Sequence, residues 1–270
     1  MLGAIIGDIA GSVYEFDNCR RKDFAPFIRE DATYTDDTVM TLAVAQAIMD
    51  TRKDQGTCLE EQVTVRMHEF GNAHPGRGYG GRFAAWLASS KPRPYHSLGN
   101  GSAMRVSPAA WAFDSLGAVL EAAAATARPT HDHPEGVKGA VVTAGCTFLA
   151  RTGHTMDQVR HFAAAFYNMD FRLEDIWEDF KFDETCPGTV PAAIECAVEA
   201  DNYEEAIRNC MWLGGDCDTT AAIAGAVAGA RFGVPERFYR TAKKILPKDL
   251  WKTYFTFSIE TGAFSEVLCR

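Results

Sequence analysis

The chain has 270 residues, 47% of them hydrophobic and 23% charged, with 27 Lys and Arg against 36 Asp and Glu. That length holds one large domain or two small ones, and the composition is that of a globular protein. A formal net charge of −9 lacks the basic face needed to hold phosphates, so no nucleic-acid partner is expected.

The chain opens on "MLGAIIGDIAGSVYEF". It has no basic start and Asp8 interrupts the apolar run, so it does not read as a secretory signal. No later stretch reaches the ~18 apolar residues of a membrane span. A soluble, unprocessed, cytoplasmic protein is expected, with a monomer as the default. Apolar residues then recur at spacings of three and four over Val39–Met49, Val63–Phe70, Leu116–Ala125, Val137–Leu149, Val159–Phe166, Val190–Val198, Ala206–Leu213 and Thr219–Phe232. Alanine, the best helix former, dominates many of these runs. Pro134, Pro191 and Pro235 read as helix starts, and Gly233 as a helix end. "VVT" at Val141 lies inside a helical pattern and is no strand. Two segments resist helix: Asn72–Arg82, dense in glycine, and Ser89–Arg105, rich in Pro, Gly, Ser and Asn; long loops of this kind are commonly functional. The eight cysteines (Cys19, Cys58, Cys146, Cys186, Cys196, Cys210, Cys217 and Cys269) form no C-x-x-C pair. They are read as reduced thiols, not as zinc ligands or a redox motif. The whole pattern predicts one compact all-α domain over residues 1–270.

Two stretches place acids and threonines at the mouth of an apolar helix: "YTDDTVMTLAVAQAIMD" (34–50) and "GGDCDTTAAIAGAVAGARFG" (214–233). Helix capping accounts for one such motif: Thr35 suits an N-cap, and Asp36 and Asp37 suit the positive end of the helix dipole. Two motifs shift the balance. Neither has a basic neighbour in sequence. If they converge, two carboxylates about 4 Å apart repel by roughly 4 kcal/mol at a surface-like dielectric, and the cluster requires cations. Carboxylate and hydroxyl oxygens are hard donors that suit Mg²⁺, Mn²⁺ or Ca²⁺. "DCDTT" also resembles the D-x-D-x-T nucleophile of haloacid-dehalogenase-type phosphatases. Those motifs follow a buried strand near the N-terminus, whereas this one follows Gly214 and Gly215 near the C-terminus of a helical chain.

Four blocks in order, "GAIIGDIAGSVYEF", "YTDDTVMT", "GNGSAMRVSP" and "GGDCDTTAAIAGAVAGA", make the sequence resemble the ADP-ribosylglycohydrolases along essentially its whole length. The resemblance implies a many-helix fold around a cleft with a binuclear metal centre of two Mg²⁺ or Mn²⁺ ions. Thr35, Asp36 and Asp37 match one group of its ligands, and Asp216, Asp218 and Thr219 the other. Glu15 matches the residue expected to serve as general acid/base, and Asp37 and Asp218 are counted with it as catalytic. The ligand-facing set is Gly78, Tyr79 and Gly80 of the glycine-rich loop, Ser97, Leu98, Gly99, Asn100, Gly101 and Ser102 of "HSLGNGSAMR", and His131. The backbone N–H groups around Gly99 and Gly101, at the start of a helix that Ala103 begins, suit a pyrophosphate. Arg105 is left out of the site as a structural salt-bridge partner. The implied reaction is metal-dependent hydrolysis of the bond between ADP-ribose and an acceptor on a protein or small molecule, with free ADP-ribose as product. Arginine-directed members carry an aspartate where this chain has Ser97, which points toward serine-linked or other O-linked ADP-ribose. An ADP-ribose reader or toxin-masking protein on the same fold is the alternative.

Overall fold

A computed structural model describes residues 1–54 and 56–268. The helices follow in the order α1 (Leu2–Gly11), α2 (Asp36–Lys53), α3 (Leu59–Ala73), α4 (Gly81–Leu87), α5 (Gly101–Met104), α6 (Ser107–Ala112), α7 (Leu116–Ala127), α8 (Pro134–Arg151), α9 (Met156–Ala164), α10 (Leu173–Ile176), α11 (Cys186–Val198), α12 (Tyr203–Leu213), α13 (Cys217–Phe232), α14 (Glu236–Ile245) and α15 (Lys248–Thr261). The fold is all-α. Among the described residues, sheet is limited to β1 (Val234–Pro235) paired in parallel with β2 (Val267–Leu268). No described helix is long and apolar enough to cross a membrane.

Two helices organise the rest. Every residue of α1 is buried, as is α13 from Cys217 to Gly229; a helix that is small and apolar all round belongs inside a core. Gly3, Gly7 and Gly11 fall four apart, on one face of α1. That face lies directly on α13. A Cβ on Gly7 would stand 2.0 Å from the Ala221 carbonyl oxygen, and one on Gly11 would stand 2.4 Å from Asp218 Cα. Only glycine permits this approach, and it sets the C-terminal end of α1 against the acidic mouth of α13. The N-terminal end of α1 is capped from afar, since the Glu266 carboxylate accepts from the N–H groups of Leu2 at 2.7 Å and Gly3 at 3.0 Å. Around this pair, α8, α11 and α12 pack on α13, and α3 packs on α2.

Two helix starts differ from the sequence reading. Pro191 lies inside α11, which begins at Cys186. Thr185 caps that helix by accepting from the Gly188 N–H at 3.1 Å, so the capping residue and Pro187 set the start. Pro191 forgoes one backbone bond near the end of the second turn. The turn expected from Ala103 begins two residues earlier, as the four-residue α5 with Asn100 at its N-cap. Pro134 does open α8, Pro235 stands at the N-cap of α14, and Gly233 ends α13 at φ 76°. The seven described cysteines are all unpaired; Cys269 lies outside the described residues.

Candidate active site

The mouth of α2 is built from capping chemistry. Thr35 is its N-cap, and its hydroxyl oxygen accepts from the Asp37 N–H at 3.3 Å. Beneath it lies Asp8 of α1, fully buried. The Asp8 carboxylate accepts from the Thr35 N–H at 3.0 Å, the Thr35 hydroxyl at 2.8 Å, the Thr38 N–H at 3.1 Å and the Thr38 hydroxyl. Asp8 therefore locks α2 onto α1. The sequence reading used it only as a break in an apolar run.

The mouth of α13 is reached through a turn that only glycine makes comfortably, with Gly214 at φ 80° and Gly215 at φ 76°. Asn18 clamps this turn. Its Oδ1 accepts from the Gly215 N–H at 2.7 Å, while its Nδ2 donates to the Gly215 carbonyl at 3.0 Å and the Tyr14 carbonyl at 2.6 Å. The clamp ties the turn carrying Glu15 to the turn carrying Asp216. Asp216 is the N-cap of α13 and Asp218 sits in its first turn. The two carboxylates share a cleft through this helical turn.

The two mouths meet. Thr219 Oγ1 donates to Asp37 Oδ2 at 3.3 Å. Carboxylate oxygens of Glu15, Asp216 and Asp218 lie within 4.8 Å of one another. Asn100 Nδ2 donates to Asp216 Oδ2 at 2.7 Å and to Thr189 Oγ1 at 2.9 Å, binding the glycine-rich turn before α5 to the acids. One cleft is lined by Glu15, Asp36, Asp37, Asp216, Asp218 and Thr219 together with Ser97, Gly99, Asn100, Gly101 and His131.

The acids are held in an environment that resists their charge. Burial, helped by Asp216, Glu184 and Asp8, pushes the Glu15 carboxyl up to about 7. Burial and Asp8 raise Asp36 to about 8. Asp37 and Asp218 are pushed well above the carboxylate range, first by burial and then by neighbouring acids. Asp37 Oδ1 is buried with no hydrogen-bond partner, and a buried orphan acceptor is costly. Hard oxygen donors, mutual repulsion and an orphan oxygen are together what a divalent cation would satisfy. The acidic cluster therefore fits a metal.

Of the other sequence-selected residues, Gly78 and Gly80 line the cleft along with Ser97, Gly99, Asn100, Gly101 and His131, whereas Tyr79, Leu98 and Ser102 do not. Tyr79 donates its hydroxyl to the His74 carbonyl at 2.9 Å. Ser102 is buried and donates to the Gly136 carbonyl at 2.6 Å. Thr35 sits behind the lining, on Asp8. The sequence reading missed Asp8, Asn18 and Glu184. Asp8 carried one signal, a charge in an otherwise apolar helix; Asn18 and Glu184 carried none, because their roles arise from contacts across the fold.

An all-α scaffold thus opens one acidic, cation-fitted cleft beside a glycine-rich turn. The family model described as ADP-ribosylglycohydrolase matches residues 1–254, and the chain belongs to that family. It is 25% identical to ADP-ribosylhydrolase ARH3 of Xenopus tropicalis, with 86% of each chain covered. It is 27% identical to the ADP-ribosyl-[dinitrogen reductase] glycohydrolase of Rhodospirillum rubrum, covering 87% of this chain and 85% of that one. A solved structure, "ADP-ribosylglycohydrolase-related protein complex", shares the fold at TM-score 0.69 and 24% identity, with coverage of 95% of this chain and 97% of the other.

Proposed function

We propose that the cleft hydrolyses the bond between ADP-ribose and a protein acceptor, O-linked serine before N-linked arginine, releasing ADP-ribose. The observation that carries this reading is the meeting of the two helix mouths through the Thr219–Asp37 hydrogen bond, which unites both acidic motifs beside Glu15. Thr35, Asp36, Asp37, Asp216, Asp218 and Thr219 are the residues that would hold two Mg²⁺ or Mn²⁺ ions. Bound there, the ions neutralise the acids and supply Lewis-acid polarisation of oxygen ligands. Glu15 holds the mobile proton. Its carboxyl, pushed up to about 7 in the cation-free cleft by burial first and Asp216 next, is the group that gives a proton to a leaving oxygen or takes one from water. Asn100 orients Asp216, and the Gly99 and Gly101 turn presents backbone donors to the anionic end of the substrate. Ser97 supports an uncharged acceptor, because its Oγ is engaged by the Gly99 N–H at 3.1 Å and brings no charge to pair with a guanidinium.

The test is release of ADP-ribose from two matched peptides, one modified on serine and one on arginine, with Mg²⁺ and with a chelator. Metal-dependent release from the serine conjugate is expected, falling by about 10²-fold or more in Glu15→Gln. Release from the arginine conjugate alone would overturn the acceptor assignment. Absence of release from both would overturn the hydrolytic reading for these linkages.

A further inference from the structure

Arg105 is 1% exposed, and among the described residues no carboxylate pairs with it. This corrects its reading as a salt-bridge partner. Its Nη1 donates to the Gly101 carbonyl at 3.0 Å, and its Nη2 donates to the Thr126 carbonyl at 3.1 Å and to Thr130 Oγ1 at 2.9 Å. A guanidinium offers donors only, so Thr130 Oγ1 is the acceptor in that contact. The same oxygen lies 2.7 Å from His131 Nδ1. If Nδ1 carried a proton, Thr130 would accept twice and its own hydroxyl proton would have no acceptor among the described residues. If Nδ1 is bare, the hydroxyl proton goes to it and every group is satisfied. The imidazolium, protonated on both nitrogens, is disfavoured by burial and by the nearby Arg105 and Arg82 cations.

We propose that Arg105 and Thr130 are positioning residues that lock His131 as the neutral Nε2–H tautomer, making it a fixed hydrogen-bond donor to the ligand and not a base. The free nitrogen is placed for this. His131 lines the cleft, and its Nε2 has no partner among the described residues. The Cε1–Nε2 edge flanks the glycine turn, so that a Cβ on Gly101 would come 3.5 Å from Nε2 and one on Gly99 would come 3.6 Å from it. An N–H there suits a phosphate or ribose oxygen, whereas the bare nitrogen of the other tautomer would repel it. The tautomer stands on protein contacts alone; only its ligand rests on the ADP-ribose reading.

Two-bond ¹H–¹⁵N correlation spectra of histidine-labelled full-length protein at pH 7 read the tautomer directly. The wild type is expected to show His131 protonated on Nε2 only. Thr130→Val should move it to a mixture or to Nδ1–H and weaken ADP-ribose binding by about tenfold. Thr130→Ser, which keeps the hydroxyl, should restore both. An Nδ1–H or doubly protonated ring in the wild type overturns the proposal, as does pure Nε2–H in Thr130→Val. A tautomer shift without a change in affinity overturns the donor role. A wild type with the Nε2–H ring that binds no ADP-ribose overturns the ligand reading and leaves the tautomer lock standing.

Discussion

Asp8 shows how one buried charge places a site it does not line. Its two oxygens collect two backbone N–H groups and two hydroxyls from Thr35 and Thr38, all at the first turn of α2. Burial pushes its carboxyl up to about 6, and those hydrogen bonds oppose the rise. Hydrogen bonds to a charged acceptor contribute about 1.5–3 kcal/mol each when intact, and a buried donor left alone costs about 1–3 kcal/mol. Asp8→Asn points an NH₂ group at donors, so it should lower the unfolding free energy by about 2–3 kcal/mol. Asp8→Ala should cost more, because all four donors lose their acceptor. Urea unfolding of both variants measures this, and a loss below about 0.5 kcal/mol in Asp8→Ala would contradict the anchoring role. Capping propensity made Thr35 legible from sequence. Its second partner, 27 residues earlier, was not, because the pairing exists only after α1 and α2 pack.

At the scale of elements, the site depends on how closely α1 and α13 approach. The glycine face of α1 touches α13 backbone directly, and the C-terminal end of that face abuts Asp218. A side chain here cannot be absorbed by a flexible neighbour, since the clashing atoms are main chain. Gly7→Val should therefore force the helices apart, costing about 1–3 kcal/mol or more, at the upper end of overpacking. Because α1 leads into Glu15 and α13 carries Asp218, the same variant should lose hydrolytic activity disproportionately. Gly117 in α7 is the control: no atom lies within 4 Å of a Cβ built there. Gly117→Ala should stabilise by about 0.5–1 kcal/mol through helix propensity alone. Thermal unfolding of the two variants checks the pair, and equal behaviour would refute close packing as the cause. Alanine-rich periodicity announced the helices, but the i, i+4 glycines of "LGAIIGDIAG" were passed over as part of an apolar run.

For the whole molecule, local chemistry was readable and convergence was not. Each acidic motif could be assigned to a helix mouth from its own residues, and the glycine turn to a loop from its composition. That the mouths face each other follows from tertiary contacts: the glycine face, the Asn18 clamp and the Asn100 bridge, each joining residues far apart in sequence. Convergence has an energetic consequence that reaches the entire fold. Stacking raised carboxylates in one cleft opposes folding whenever they ionise, because the unfolded chain holds the same charges apart in water. A cation that binds the folded site and not the unfolded chain reverses this, stabilising by about 2.7 kcal/mol at a hundredfold excess over its dissociation constant. Mg²⁺ or Mn²⁺ should therefore raise the unfolding temperature in a concentration-dependent way, Ca²⁺ and Mn²⁺ ranking by fit to the site, and a chelator should reverse the gain. In Asp37→Asn the cleft loses a charge and the orphan oxygen's environment changes. That variant should melt near or above the wild type without added cation, yet show little further rise when cation is supplied. A wild type whose melting temperature ignores all three cations would separate the acidic cluster from metal binding altogether.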